Sequence, residues 1–139
     1  MPASETIRDL SFGDAEAVLE RAQRLLNEGD LSGTMKTFAP DIVVRFADFP
    51  ETVGKPPLEK FLAARFIRQK NYRLQKQLRA VWSNVIVCSW DAEWEDGKDG
   101  RQMQGRGIEL LTMRGDEIAK WEATFNVWRK GDPPSLPIV

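Results

Sequence analysis

The sequence predicts an α+β fold: a strongly curved antiparallel sheet whose apolar face is covered by helices from the N-terminal half. Three observations carry that prediction. From Tyr72 to Trp128, apolar and charged residues alternate along four long segments, the period of strands whose successive side chains point to opposite faces. The segments are separated by Ser83-Asn84, by Asp96-Gly97-Lys98-Asp99-Gly100 and by Gly115-Asp116, short turns that make neighbouring strands antiparallel hairpins. Helical spacing of apolar residues is found ahead of Asn71.

In chain order, Asp14 reads as an N-cap, and Val18, Leu19, Ala22, Leu25 and Leu26 follow with helical spacing until Gly29 ends the helix. A shorter helix spans Leu31 to Phe38, stopped by Pro40. Ile42 to Phe49 reads as a first strand and Pro50 to Pro57 as a loop. Pro57 suits the first turn of a third helix with apolar positions Leu58, Phe61, Leu62 and Phe66, ended at Asn71. Four strands follow, Tyr72–Trp82, Val85–Glu95, Arg101–Arg114 and Glu117–Trp128; Lys130 to Val139 holds three prolines and reads as an extended tail. The 139 residues are expected to form one domain with its core in residues 14–128.

Composition narrows the chemistry. Hydrophobic residues make up 42%, enough for a real core, and 20 basic against 21 acidic residues argue against a general polyanion binder. No apolar run approaches the roughly 18 residues of a membrane helix, and Met1-Pro2-Ala3-Ser4-Glu5 lacks the regions of a signal peptide, so a cytosolic (cytoplasmic) protein with no membrane contact is expected. There is no histidine, which excludes a Ser-His-Asp triad, a Cys-His pair and a His-ligated metal. Cys88 is the single cysteine and lies mid-strand among apolar residues, where a buried, inert thiol is expected.

The alternation also says which side chains share a face. Tyr72, Leu74, Leu78, Ala80 and Trp82 lie together, interrupted by Lys76; Ile86, Cys88, Trp90, Ala92 and Trp94 lie together; so do Met103, Gly105, Gly107, Glu109, Leu111 and Met113, and Trp121, Ala123, Phe125 and Val127. One carboxylate, Glu109, therefore interrupts the apolar face. Gly105 and Gly107 leave room beside Trp90 and Trp94. A strongly curved sheet with helices across its concave side would enclose an apolar pocket. Ile108 and Leu110 make part of the opposite face sticky, which suggests a homodimer through the outer sheet face.

The element order, with Gly105-Arg106-Gly107 opening one long strand and Ile118-Ala119-Lys120-Trp121-Glu122-Ala123-Thr124-Phe125-Asn126 closing the sheet, resembles the nuclear transport factor two-like superfamily of cone-shaped, cystatin-like folds, and its SnoaL-like branch most closely. The block Asn71 to Asp96 also resembles a bacterial family of unassigned role in that superfamily. The resemblance implies a cone of curved sheet around three helices. Its members include ketosteroid isomerases, polyketide cyclases, limonene-epoxide hydrolases, dehydratases and non-catalytic binding modules, so fold alone does not select a function. Where the epoxide-hydrolase type carries a catalytic Asp two residues after the strand's Trp, this chain has Ala123; Trp90-Asp91-Ala92 supplies no Arg, and Asn126 replaces the closing Asp. That chemistry is not expected.

In such a cone Glu109 would point inward beside Trp90, Trp121 and Phe125, and burial would raise its pKa toward that of a general acid or base. The competing reading is a structural ion pair with Arg65 or Lys76. Tyr72 could donate a hydrogen bond to a substrate carbonyl, as tyrosines do in the isomerase relatives, or serve as rim packing. Asp48 shares a parity with Val44 and Phe46 and is a second acid candidate. Trp90, Trp121, Phe125, Phe46, Leu62, Phe66 and Lys76 are the expected ligand-binding residues, although inward aromatics are more often plain core. The six basic residues between Arg65 and Arg79 hint at nucleic acid, but Asp91, Glu93 and Glu95 on the next strand should face them, so no nucleic-acid partner is expected. No metal spacing, phosphate loop or dinucleotide motif occurs, and no cofactor is required. Two functions follow: a cofactor-free isomerase, cyclase or lyase acting on a small hydrophobic carbonyl compound through Glu109, or a non-catalytic ligand-binding or dimeric interaction module.

Overall fold

A six-stranded sheet carries the computed structural model, which describes residues 9–133. Helix α1 (Phe12–Glu28) starts at Ser11, whose side chain accepts from the Asp14 N–H while Asp14 reaches back to the Ser11 N–H. Asp14 is thus the third helical residue, which closes a capping box, and not the cap itself. Gly29 ends the helix in the left-handed conformation, its N–H bonded to the Leu25 and Leu26 carbonyls.

Helix α2 (Leu31–Met35) is shorter than its sequence suggests, because Phe38 already belongs to strand β1 (Phe38–Phe46) and pairs with Ile118. That strand therefore starts and stops earlier than Ile42–Phe49, leaving Asp48 and Phe49 beyond its end. A two-residue strand β2 (Thr52–Val53) pairs back onto β1. Helix α3 (Lys55–Arg68) has Pro56 and Pro57 in its first turn, where no N–H is needed. It passes directly into β3 (Gln69–Trp82), so Asn71 lies inside a strand. Strands β4 (Val85–Asp96), β5 (Gln102–Arg114) and β6 (Glu117–Arg129) complete the antiparallel run.

The strand order is β2-β1-β6-β5-β4-β3. Strand β1 lies parallel to β6, with Val44 opposite Trp121 and Phe46 opposite Ala123, so the chain's first long strand adds its inward residues to those of its last. The main core joins α1, β1, α3 and the middle of the sheet through Leu19, Ile42, Leu58, Leu62, Ile86 and Leu111. Each such side chain contributes about 1.5–3 kcal/mol of burial.

Among the described strands β3 is an edge, and α1 covers it. The Asn27 side chain both accepts from the Leu74 N–H and donates to the Leu74 carbonyl, while Gln23 accepts from the Lys76 N–H. Two helix side chains thus replace the missing strand neighbour. A bulge between Leu78 and Ala80 inserts one extra residue opposite β4, and every side chain after it changes face. Val81 joins the core, while Ala80 and Trp82, expected inward, are exposed; Trp82 is 77% exposed.

Candidate functional site

The concave face of the sheet and helix α3 enclose a cavity of about 400 Å³, within the range of small-molecule sites. Its mouth carries the exposed side chains of Phe49, Phe61 and Val127. Its walls form a connected aromatic set. Phe46 lies edge-on to Trp121 at 4.7 Å and to Phe125 at 6.2 Å, touches Phe61 at 5.8 Å, and Phe125 in turn meets Trp90 at 6.0 Å. Gly105 and Gly107 make that wall possible. A Cβ on Gly107 would stand 2.5 Å from the Thr124 carbonyl oxygen and 2.9 Å from Trp90; one on Gly105 would press on Trp94 and Trp90.

At the inner end lie Lys76 and Glu109, joined by a hydrogen-bonded ion pair, with side chains 4% and 3% exposed. The other carboxylate oxygen of Glu109 accepts from the Trp121 indole N–H at 2.9 Å, and the Cys88 thiol donates to the first at 3.1 Å. Burial alone pushes the Glu109 carboxyl up. The Lys76 charge, together with hydrogen bonds from Lys76, Trp121 and Cys88, outweighs it and holds the group below the ordinary carboxylate value. The expected upward shift is therefore corrected: the sequence reveals the burial and narrows the charged partner to Arg65 or Lys76, but does not reveal the Trp121 and Cys88 donors. Cys88 moves the other way, since burial and the neighbouring Glu109 charge raise its thiol far above the ordinary value. Such a thiol is no nucleophile at neutral pH.

A second polar group lies where α3 hands over to β3. Arg65 Nη2 donates to the Tyr72 hydroxyl and Arg65 Nε to Gln69 Oε1, both at 2.7 Å, and the guanidinium sits 5.2 Å from the Tyr72 ring centre. Arg65 thus partners Tyr72 and not Glu109. Arg68, also on the cavity wall, is bonded to Asp96 at 2.9 Å, and this pairing brings the Asp96 carboxyl down to about 2.

The cavity brings together Glu109, Lys76, Tyr72, Trp90, Trp121, Phe125 and Phe46. It does not include three other candidates. Asp48 is exposed in the turn after β1, because that strand ends before the alternation reaches it. Leu62 is fully buried in the main core. Phe66, four residues on, packs against the second core cluster of Leu26, Leu74, Ala92 and Trp94. Sequence reasoning missed Phe49, Phe61 and Trp94 as lining residues. In the sequence Phe61 stands out only as an apolar position on α3, and Phe49 reads as a strand residue, whereas β1 ends at Phe46 and Phe49 lies beyond it at the mouth. Among the described residues no cluster of acidic or sulfur ligands could hold a metal ion, and no helix is long and apolar enough to cross a membrane. Within the basic run Arg68, Arg73 and Lys76 are paired with Asp96, Glu93 and Glu109, the Arg73–Glu93 bridge spanning 3.1 Å across the hairpin.

A curved sheet wrapped around three helices with a cavity in its concave face defines the cone-shaped class of the nuclear transport factor two-like superfamily. The chain belongs to the SnoaL-like domain family, whose model matches residues 19–121. Among solved structures, the fold is shared with the epoxide hydrolase/cyclase-like enzyme SalBIII of pyran ring formation in the polyether salinomycin, at 12% identity over 84% of this chain and 97% of that one, TM-score 0.73. A provisionally assigned polyketide cyclase from Xanthomonas campestris pv. campestris aligns at 15% identity over 82% and 91% of the two chains, TM-score 0.71. An LEH-like epoxide hydrolase from M. tuberculosis aligns at 13% identity over 82% and 84%, TM-score 0.64. No curated protein matches the chain by sequence. Identities this low establish the fold and no shared reaction.

Proposed function

We propose that the cone binds a small, largely hydrophobic molecule bearing a carbonyl or similar acceptor, and that Lys76 holds that acceptor at the inner end. The observation that carries this reading is an aromatic-walled cavity of about 400 Å³ whose inner end holds one ion pair. Trp90, Trp121, Phe125 and Phe46 supply apolar contact, and the ammonium has donors beyond the one given to Glu109. Glu109 positions Lys76. Its carboxylate is occupied by three donors and held ionised, which favours binding without proton transfer over a Glu109 general base.

Titration with 2-acetylnaphthalene and 2-ethylnaphthalene, which differ in the carbonyl, tests it. The ketone is expected to bind more tightly, and Lys76→Met to erase the difference. Equal binding of both compounds to the wild-type protein would defeat the role given to Lys76. Deuterium exchange at the ketone's methyl group reports proton transfer. Protein-catalysed exchange that Glu109→Gln abolishes would restore the isomerase reading. The same proposal has two copies meeting through the outer sheet face, where Ile108 and Leu110 are 54% and 38% exposed; sedimentation as a monomer at micromolar concentration would count against it.

A further inference from the structure

We infer that the cavity selects amphipathic anions, with Arg65 and Tyr72 at its α3–β3 side receiving the charged head. The inference rests on the proposed ligand-binding role of the cone and specifies its ligand.

The charge balance of the lining is the first ground. Among the described residues around the cavity, Glu109 is the one carboxylate, and Lys76 neutralises it. Arg68 is neutralised by Asp96. Arg65 lines the same cavity, yet its hydrogen-bond partners are the neutral groups of Gln69 and Tyr72. One positive charge therefore stands uncompensated beside an apolar cavity, where low dielectric strengthens its attraction for an anion.

Geometry is the second. Bonds from Nε and Nη2, with the stacking on Tyr72, fix the guanidinium plane while leaving other N–H donors of the fork unused. The Tyr72 oxygen accepts from Arg65, so its own O–H proton is left to donate. A pre-oriented guanidinium beside a hydroxyl donor matches the two oxygens of a carboxylate or two of the three oxygens of a sulfonate. Tyr72 and Lys76 lie on one strand four residues apart, about 13 Å. The ligand this defines has an anionic head at Arg65, an apolar body along the aromatic wall and, at its inner end, an acceptor for Lys76.

Fluorescence titration with 8-anilinonaphthalene-1-sulfonate and N-phenyl-1-naphthylamine tests the inference, since the two share a body and differ in the sulfonate. Each should displace the other, which establishes a common site. The wild-type protein is expected to prefer the sulfonate by about tenfold or more, and the preference to shrink in high salt. Arg65→Gln should bring the ratio of the two Kd values close to one, and Arg65→Lys should retain part of it. Tyr72→Phe, which removes one donor and one anchor, should lower the ratio severalfold and provides the test if Arg65→Gln fails to fold by circular dichroism. Binding of both probes without preference, a ratio untouched by these variants, or failure of mutual displacement would overturn the anion inference and leave the cone's ligand role standing. Failure of both probes to bind would overturn that role as well, and the inference with it.

Discussion

Lys76 and Glu109 meet across β4, although the strands that carry them are not neighbours. Lys76 on β3 pairs with Trp90, and Glu109 on β5 pairs with Cys88. The two strands are therefore about 10 Å apart, with a further offset of two residues along β4, a span the extended lysine and glutamate side chains close only by leaning together over Cys88. Both charges have left water, so each depends on the other.

That dependence gives the first prediction. Lys76→Met leaves an ionised carboxylate buried with only Trp121 and Cys88 as donors, and should cost about 3–5 kcal/mol in urea unfolding. Adding Glu109→Gln removes the stranded charge and keeps an amide oxygen for the Trp121 N–H. The double variant should therefore be more stable than Lys76→Met alone, a clear departure from additivity. Losses that simply add would show that the pair is not coupled.

Acid stability follows from the two depressed carboxyls. Lys76, Trp121 and Cys88 hold Glu109 below its ordinary 4.5, and Arg68 together with the Lys98 N–H brings Asp96 from 3.8 to about 2. A depressed group takes up its proton later in the folded than in the unfolded chain, so its contribution is complete above the ordinary value and disappears as pH falls through the folded one. Stability should therefore decline below about pH 4.5. In Asp96→Asn the decline between about pH 4 and 2 should be shallower by about one proton of uptake. Parallel curves for the variant and the wild type would remove Asp96 from the account.

How much of this could be read from the chain depends on which force sets each feature. The inward faces of β4 and β5, including Glu109 and the two glycines, follow from a period of two that no irregularity interrupts. On β3 the same rule works up to Leu78 and then fails, because a bulge reverses the parity and sends Trp82 outward in place of Val81. Nothing in Leu78-Arg79-Ala80 marks the extra residue. The parallel pairing of β1 with β6 is also silent in local sequence, since it joins segments some 75 residues apart, Val44 and Trp121. Asp48 departs from the expected inward position for a related reason: it shares a parity with Val44 and Phe46, but the strand ends at Phe46. The partner of Glu109 could be narrowed to Arg65 or Lys76, yet only the helix–strand junction shows that Tyr72 and Gln69 take Arg65.

Cys88 supplies a probe of opening. The residue is fully buried, and burial and the Glu109 charge raise its thiol, so the folded protein should resist Ellman's reagent at pH 8. Labelling should proceed at the rate of global unfolding and accelerate in urea along with it. Fast labelling of the native protein, faster than unfolding measured by circular dichroism, would mean that the inner end of the cone opens locally.

The wall of the cone rests on Gly107, which makes that residue the sharpest test of the cavity's shape. It pairs with Trp90 on one side and Phe125 on the other, and a Cβ there would meet the Thr124 carbonyl at 2.5 Å, the Phe125 Cβ at 2.8 Å and the Trp90 ring at 2.9 Å. Two of those three obstacles are backbone or Cβ atoms that cannot rotate away, so Gly107→Ala has to move β6 or displace the indole. Overpacking of this kind costs about 1–3 kcal/mol, more than any gain from the lower chain entropy of alanine, about 0.4–1 kcal/mol. The displaced Trp90 should also protrude into the cavity and weaken every ligand that uses it. Gly115→Ala is the contrasting control. Its Cβ would meet nothing within 4 Å, but its φ of +60° is one that glycine favours, so it should lose stability without changing binding. A Gly107→Ala protein as stable as the wild type, with unchanged probe affinity, would mean that Trp90 does not form the wall of the site.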